Sequence, residues 1–269
     1  MGYKFLIGIA VAVAIIFFAV AFSSNLSKNA GTVPGRETLY QVSTIDALML
    51  GMYEGVQPFA ELKKHGDFGI GTFDALDGEM VAVDNRFYQV RSDGSAYPVA
   101  DAMTTPFATV TFFEPDISIT ADREMNYSVF SSYVADHLPS QNMIYAVRIN
   151  GRFPAIKVRS VPRQTPPYLP LTAAVANQSV FEYFGARGTV AGFYLPKFTG
   201  GLNVPGCHLH FISADRKTGG HILDFTIAEN TTATFDSTPS FEISLPAQGA
   251  SAGADHTRDM TGDLAKVER

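Results

Sequence analysis

"GCHLHFISADRKTGGHILDF", Gly206 to Phe225, holds three of the chain's six histidines within fourteen positions. Side chains alternate across a β-strand, so His208 and His210 leave one face while Cys207, Leu209 and Phe211 leave the other. The intervening "ADRKTGG" is rich in turn formers, which predicts an antiparallel hairpin between Cys207–Ser213 and His221–Ile227. Register decides what the hairpin can do. Pairing Ser213 with Gly220 sets His221 opposite Ile212, on the face of His210 and diagonal to it, whereas a slip of one residue turns His221 away.

Three imidazoles converging from two paired strands suit Zn²⁺ or another divalent first-row metal, with positions left open for water or substrate. A closed structural zinc site normally needs four protein ligands, and no second Cys or His stands nearby in sequence to complete one. An open site points to catalysis. The plainer alternative is a pair of half-buried polar residues on a strand. Cys207, by parity, is packing, and His65, His137 and His256 show no partner pattern.

Outward from the hairpin, composition sets the class. Of 269 residues 46% are hydrophobic, and Phe and Tyr are plentiful among short apolar runs separated by Gly and Pro, which predicts an α+β, β-rich protein with few helices. A net charge of -6 without a Lys/Arg stripe excludes a nucleic-acid surface and favours a small-molecule partner. One cysteine excludes an intramolecular disulfide framework.

The remaining text yields two β-sheet domains. "STIDALMLGMY" opens with Ser43 three residues before Asp46 and predicts a first helix. "FGIGTFDALDGEMVAVDNRFYQV" reads as a meander reversing at Asp77-Gly78 and Asp84-Asn85. "TPFATVTFF" and "QNMIYAVRING" are further strands, with a helix over "NYSVFSSYVADHLP" between them. The proline-rich "SVPRQTPPYLP" cannot sit inside a sheet, so residues 161–170 are the expected linker between an N-terminal domain (39–160) and a C-terminal metal-binding domain (171–246). A short helix near Leu171–Asn177 and the strands "RGTVAGFYLP", "CHLHFIS", "HILDFTIA" and "SFEISLP" follow, then a tail over 247–269.

The N-terminus stands apart. After Lys4, Phe5–Phe22 carries no charge, which is the pattern of an export signal and just enough to span a bilayer. Residues 1–24 are therefore read as a cleaved signal or an uncleaved anchor, followed by a polar linker over 25–38. Either places the body outside the cytoplasm, released or tethered to the membrane through residues 5–22.

"GTFDALDGEM", "TPFATVTFF", "YAVRING", "GFYLP" and "GCHLHFISADRKTGGH" together resemble the α-acetolactate decarboxylase family, from about Leu39 to the C-terminus. The resemblance implies two β-sheet-rich domains, a homodimer, zinc held by His208, His210 and His221 where the domains meet, and conversion of 2-acetolactate to acetoin and carbon dioxide. It also implies site roles for Glu79 in "LDGEM", Arg148 in "YAVRING" and Glu268 in "KVER", the last carried back over the site by the tail. Read without it, Glu79 is a solvated hairpin residue. Arg148 shares a strand face with Ile144 and Ala146 and needs an anionic or carbonyl partner to offset desolvation, a role a substrate carboxylate fills. Family members often have Tyr in place of Cys207, a departure that removes no expected ligand.

The implied chemistry needs no organic electron sink. The substrate ketone lies β to the carboxylate, so the electrons left by carbon dioxide delocalise as an enediolate that zinc stabilises by Lewis acidity. Arg148 then positions the substrate and the two glutamates move the proton. Two rivals stay open: an exported β protein that binds metal or ligand without catalysis, and a cupin-like metal oxygenase, although the Glu a cupin usually places a few residues after its HxH pair is missing here.

Overall fold

A computed structural model of the protein describes residues 36–246 and 258–268. In chain order the strands are β1 (Thr38–Val42), β2 (Gln57–Pro58), β3 (Phe68–Thr72), β4 (Glu79–Val83), β5 (Arg86–Val90), β6 (Ala96–Pro98), β7 (Thr104–Thr105), β8 (Ala108–Thr111), β9 (Ile117–Thr120), β10 (Met125–Asn126), β11 (Tyr145–Ser160), β12 (Ser179–Leu195), β13 (Gly206–Ser213), β14 (Gly219–Ile227), β15 (Thr232–Ser237) and β16 (Ser240–Ser244). Two seven-stranded sheets result, ordered β16-β1-β8-β3-β4-β5-β6 and β10-β14-β13-β12-β11-β15-β9, and a further β14–β11 pairing closes part of the second sheet on itself. The strands β2 and β7 pair separately as a two-stranded ribbon, and the expected β-rich class with two main sheets and few helices holds.

The meander runs through β3, β4 and β5. Asp84 and Asn85, at φ 53° and 59°, make the predicted tight reversal between β4 and β5. The helix Tyr127–His137 is capped by Asn126, whose side chain accepts from the Val129 amide. The first helix, Ile45–Met49, is capped by Thr44 rather than Ser43, which sits at φ 60°.

The sheets do not divide at 161–170. β11 belongs wholly to the second sheet, and residues 161–178 join β11 to its antiparallel neighbour β12. β16 returns to the first sheet, parallel to β1. The described residues from Glu37 onward form one compact unit. Prolines mark a connection here, because backbone N–H groups are not needed there to continue a ladder.

Apolar residues of both sheets, among them Phe68, Ile70, Val81, Phe193 and Ile212, form the layer between them. A separate cluster, with Phe153, Phe211, Phe225 and Phe235, lies on the other side of the second sheet. Along β11 this second cluster takes Val147, Ile149 and Phe153, then Ile156 and Val158, so the buried parity switches from odd to even. The switch falls at Pro154 and, on β12, at Gly185 with φ +63°, the two positions skipped between the pairs Phe153↔Ala186 and Ala155↔Phe184. β14 switches too, at the register shift opposite Lys157 and Val158. These changes of face let one end of the second sheet curl until β14 meets β11.

The N-terminal segment and the tail over 247–257 lie outside the described residues. Among the described residues no helix is long and apolar enough to cross a membrane.

Candidate active site

The histidine hairpin pairs two residues away from the expected register. His210 lies directly opposite His221, and Phe211 opposite Gly220. The turn draws the strands in, because the Ser213 hydroxyl accepts from the amides of Lys217 and Thr218. A shift of two keeps every side chain on its face, so His221 still meets His210. Cys207 packs on the opposite side.

One ligand nitrogen from each of His208, His210 and His221 falls within 4.8 Å of the others, and all three residues are buried. The His210 Nδ1–H donates to the Met80 carbonyl of β4 at 2.8 Å, which leaves Nε2 as a lone-pair donor. That Nε2 lies 3.2 Å from His221 Nδ1. Two nitrogens bound to one tetrahedral zinc at about 2.0–2.1 Å stand about 3.3 Å apart, so this spacing fits a shared ion. Burial holds all three imidazoles neutral, His210 down to about 3 and the other two well below the usual value, with the Arg159 charge adding to the effect. A neutral imidazole keeps the lone pair a metal needs. The donor set therefore suits a divalent cation.

Two carboxyl groups flank the histidines. Glu79 begins β4 and brings Oε2 to 3.7 Å from His210 Nε2. Glu268 follows the helix Thr261–Val267 and brings Oε2 to 3.4 Å from His221 Nε2. The helix is held by Met260, Leu264 and Val267, which pack with Ile45, Leu48 and Leu171. That apolar anchor orders a residue near the end of the sequence, where fraying is the usual outcome. Burial pushes both carboxyls up to about 7, against the opposing pull of Arg159; Glu79 raises Glu268 further.

The arginine of the site is Arg159, not Arg148. Arg159 is directly paired with His221 across β11 and β14, is 5% exposed, and reaches Glu79 at 3.5 Å and Glu268 at 4.0 Å. Its Nε has no hydrogen-bond partner among the described residues. Arg148, near the other end of β11, faces the first sheet as its parity with Ile144 and Ala146 predicts, but beyond the packed layer. There it makes a two-pronged bond to Asp84 at 2.8 and 3.2 Å in the β4–β5 turn. Its need for an anion is met by that aspartate.

Thus the structure gathers His208, His210, His221, Glu79 and Glu268, leaves Arg148 outside, and adds Arg159. The six line one cleft with about 410 Å³ of atom-free space including its mouth, walled by Ile45, Leu48, Leu76, Phe107, Val161 and Leu171. Small-molecule sites commonly have this mix of apolar wall and few polar groups. Sequence reasoning missed Arg159 because it lies beyond the switch of face; Pro154 and Gly185, in the middle of an otherwise regular pair of strands, were the available signal.

The alpha-acetolactate decarboxylase family model matches residues 39–255. Alpha-acetolactate decarboxylase of Methanosarcina mazei is 50% identical over 245 residues, 91% of this chain and 83% of the relative. That of Bacillus subtilis strain 168 is 42% identical over 208 residues, 77% of this chain and 81% of the relative. A crystal structure of the B. subtilis enzyme superposes with a TM-score of 0.83 at 39% identity, covering 86% of this chain and 99% of that one. Matches of this extent, with a family model that spans both sheets, the three histidines, Glu79 and Arg159, identify the chain as a member of the alpha-acetolactate decarboxylase family, a family of carboxy-lyases.

Proposed function

We propose that the protein decarboxylates 2-acetolactate to acetoin and carbon dioxide, with zinc held by His208, His210 and His221. The observation that carries this reading is the meeting of three buried neutral imidazoles, two carboxyls with raised pKa and one buried guanidinium in a single cleft. When bound, the divalent ion supplies Lewis acidity toward the substrate's ketone and hydroxyl oxygens.

The protein's own groups do the rest. Among the described residues Arg159 carries the one fixed positive charge that lines the cleft and has an unpartnered N–H, so it binds the carboxylate that leaves as carbon dioxide. Burial raises the pKa of Glu79 and Glu268 above the ordinary carboxylate range, which favours a protonated carboxyl in the cleft, and the pair gives and takes the proton that ends on the new carbon centre. The apolar wall thins out water around these charges, which strengthens each of them.

Incubation of the signal-free protein with 2-acetolactate is expected to yield acetoin, and a chelator is expected to abolish it. Product no greater than in buffer rejects the enzyme and leaves a metal-binding protein; full activity after complete metal removal rejects the zinc role. We also infer export through residues 1–24, which cell fractionation checks, and a homodimer, which sedimentation checks.

A further inference from the structure

The third imidazole, His208, is fixed differently from His210. Among the described residues no backbone carbonyl holds it; its Nδ1 faces the side-chain oxygen of Asn203 at 3.4 Å, the outer limit of a hydrogen bond. Asn203 is 1% exposed and lies in the loop before β13. Asparagine can present either an acceptor or a donor, so the tautomer of His208 depends on which way this amide points.

Two independent anchors settle that. The Gln41 Nε2 group donates to the carbonyls of Ser43 at 2.7 Å and Leu202 at 2.8 Å, and carbonyls only accept, so Gln41 turns its oxygen away from them. That oxygen accepts from Asn203 Nδ2 at 2.7 Å, and the same nitrogen donates to the Thr109 hydroxyl at 2.9 Å. From the other side, the Val204 amide, a donor only, lies 2.7 Å from Asn203 Oδ1. Both anchors put the amide oxygen toward His208. Gln41 and Thr109 are cross-strand partners on β1 and β8, and both are fully buried, so the chain of bonds runs from the frame of the first sheet to a ring on the second.

We propose that Asn203, held in one orientation by Gln41, is a positioning residue that fixes His208 as its Nδ1–H tautomer and presents the Nε2 lone pair to the cation. The inference rests on the reading of the three histidines as a metal site. Outer partners of metal-bound histidines commonly change metal affinity by about 10–100-fold when removed, through ring orientation and tautomer.

Two-bond ¹H–¹⁵N correlation spectra of the histidine-labelled protein, metal-stripped and zinc-loaded, read the tautomer directly. His208 is expected to carry its proton on Nδ1 in both. Asn203→Leu is expected to let the proton redistribute and to weaken zinc, measured by chelator competition, about 10–100-fold; Asn203→Asp, which keeps an acceptor facing Nδ1, is expected to restore the tautomer. Protonation of His208 on Nε2 in the unsubstituted protein overturns the inference without reliance on any variant. So does Asn203→Leu with unchanged tautomer and unchanged zinc affinity. Failure of the unsubstituted protein to take up zinc, with Nδ1–H in place, would instead reject the metal reading itself and the purpose assigned to Asn203.

Discussion

Arg148 and Arg159 stand on the same strand and both turn toward the first sheet, yet they live in different dielectric surroundings. The Arg148 side chain is 20% exposed and its partner Asp84 54%; Arg159 and Glu79 are 6% and 9%. Two unit charges about 4 Å apart interact by about 1 kcal/mol in water and about 4 kcal/mol at an effective dielectric near 20. Arg148 and Asp84 therefore make a good-looking bond of small consequence, whereas Arg159 makes poorer bonds of larger consequence. Bond length alone misleads. The short, satisfied pair is scaffold, and the long, unsatisfied one is poised for a ligand.

Substitution of the two arginines tests this contrast most strongly. Arg159→Met is expected to lower kcat/KM about 10²–10³-fold, the usual cost of removing one preorganised charge from an enclosed site. Steady-state acetoin production measures it, and a loss under tenfold would remove Arg159 from the chemistry.

A smaller effect distinguishes the buried carboxyls from ordinary ones. Glu79 and Glu268 have folded-state pKa values of about 7, above the 4.5 expected of them elsewhere, so in the metal-free protein the fold retains protons that the unfolded chain releases. Their stabilising contribution is complete below about pH 4.5 and lost as pH rises through 7. Glu79→Gln/Glu268→Gln is accordingly expected to raise Tm over the parent protein at pH 8 and to bring no gain at pH 5. Melting curves at the two pH values decide; equal gains at both would place these carboxyls in ordinary solvent.

Arg148→Met should do least: kcat/KM within about twofold and a stability loss under about 1 kcal/mol, as for exposed ion pairs in general. Denaturant titration together with the same acetoin assay checks both. A large loss of activity here would reverse the assignment of the two arginines.

What was legible in the sequence follows from which interactions are local. The His208–His221 hairpin was readable because strand parity and turn chemistry act over a few residues, and an error of two in register left the faces unchanged. The meander and the helix Tyr127–His137 were readable for the same reason. Glu79 and Glu268 came from resemblance alone: a glutamate after a turn and another near the end of the chain have nothing local to mark them, and their burial depends on Arg159 and on the helix Thr261–Val267 packing from far away in sequence. The linker expected at 161–170 failed because prolines report where a strand stops, not where its sheet ends.

Gly220 gives the closed second sheet an unexpected vulnerability. It has φ +142°, and a β-carbon there would lie 2.5 Å from the Arg159 carbonyl oxygen, inside the contact that joins β14 to β11. An alanine in its place would wedge those strands apart and uncouple guanidinium from imidazole while every reacting group remained in the polypeptide. Inactive natural or laboratory variants of this protein should thus include some whose lesion is a single methyl group, invisible to any inventory of functional side chains.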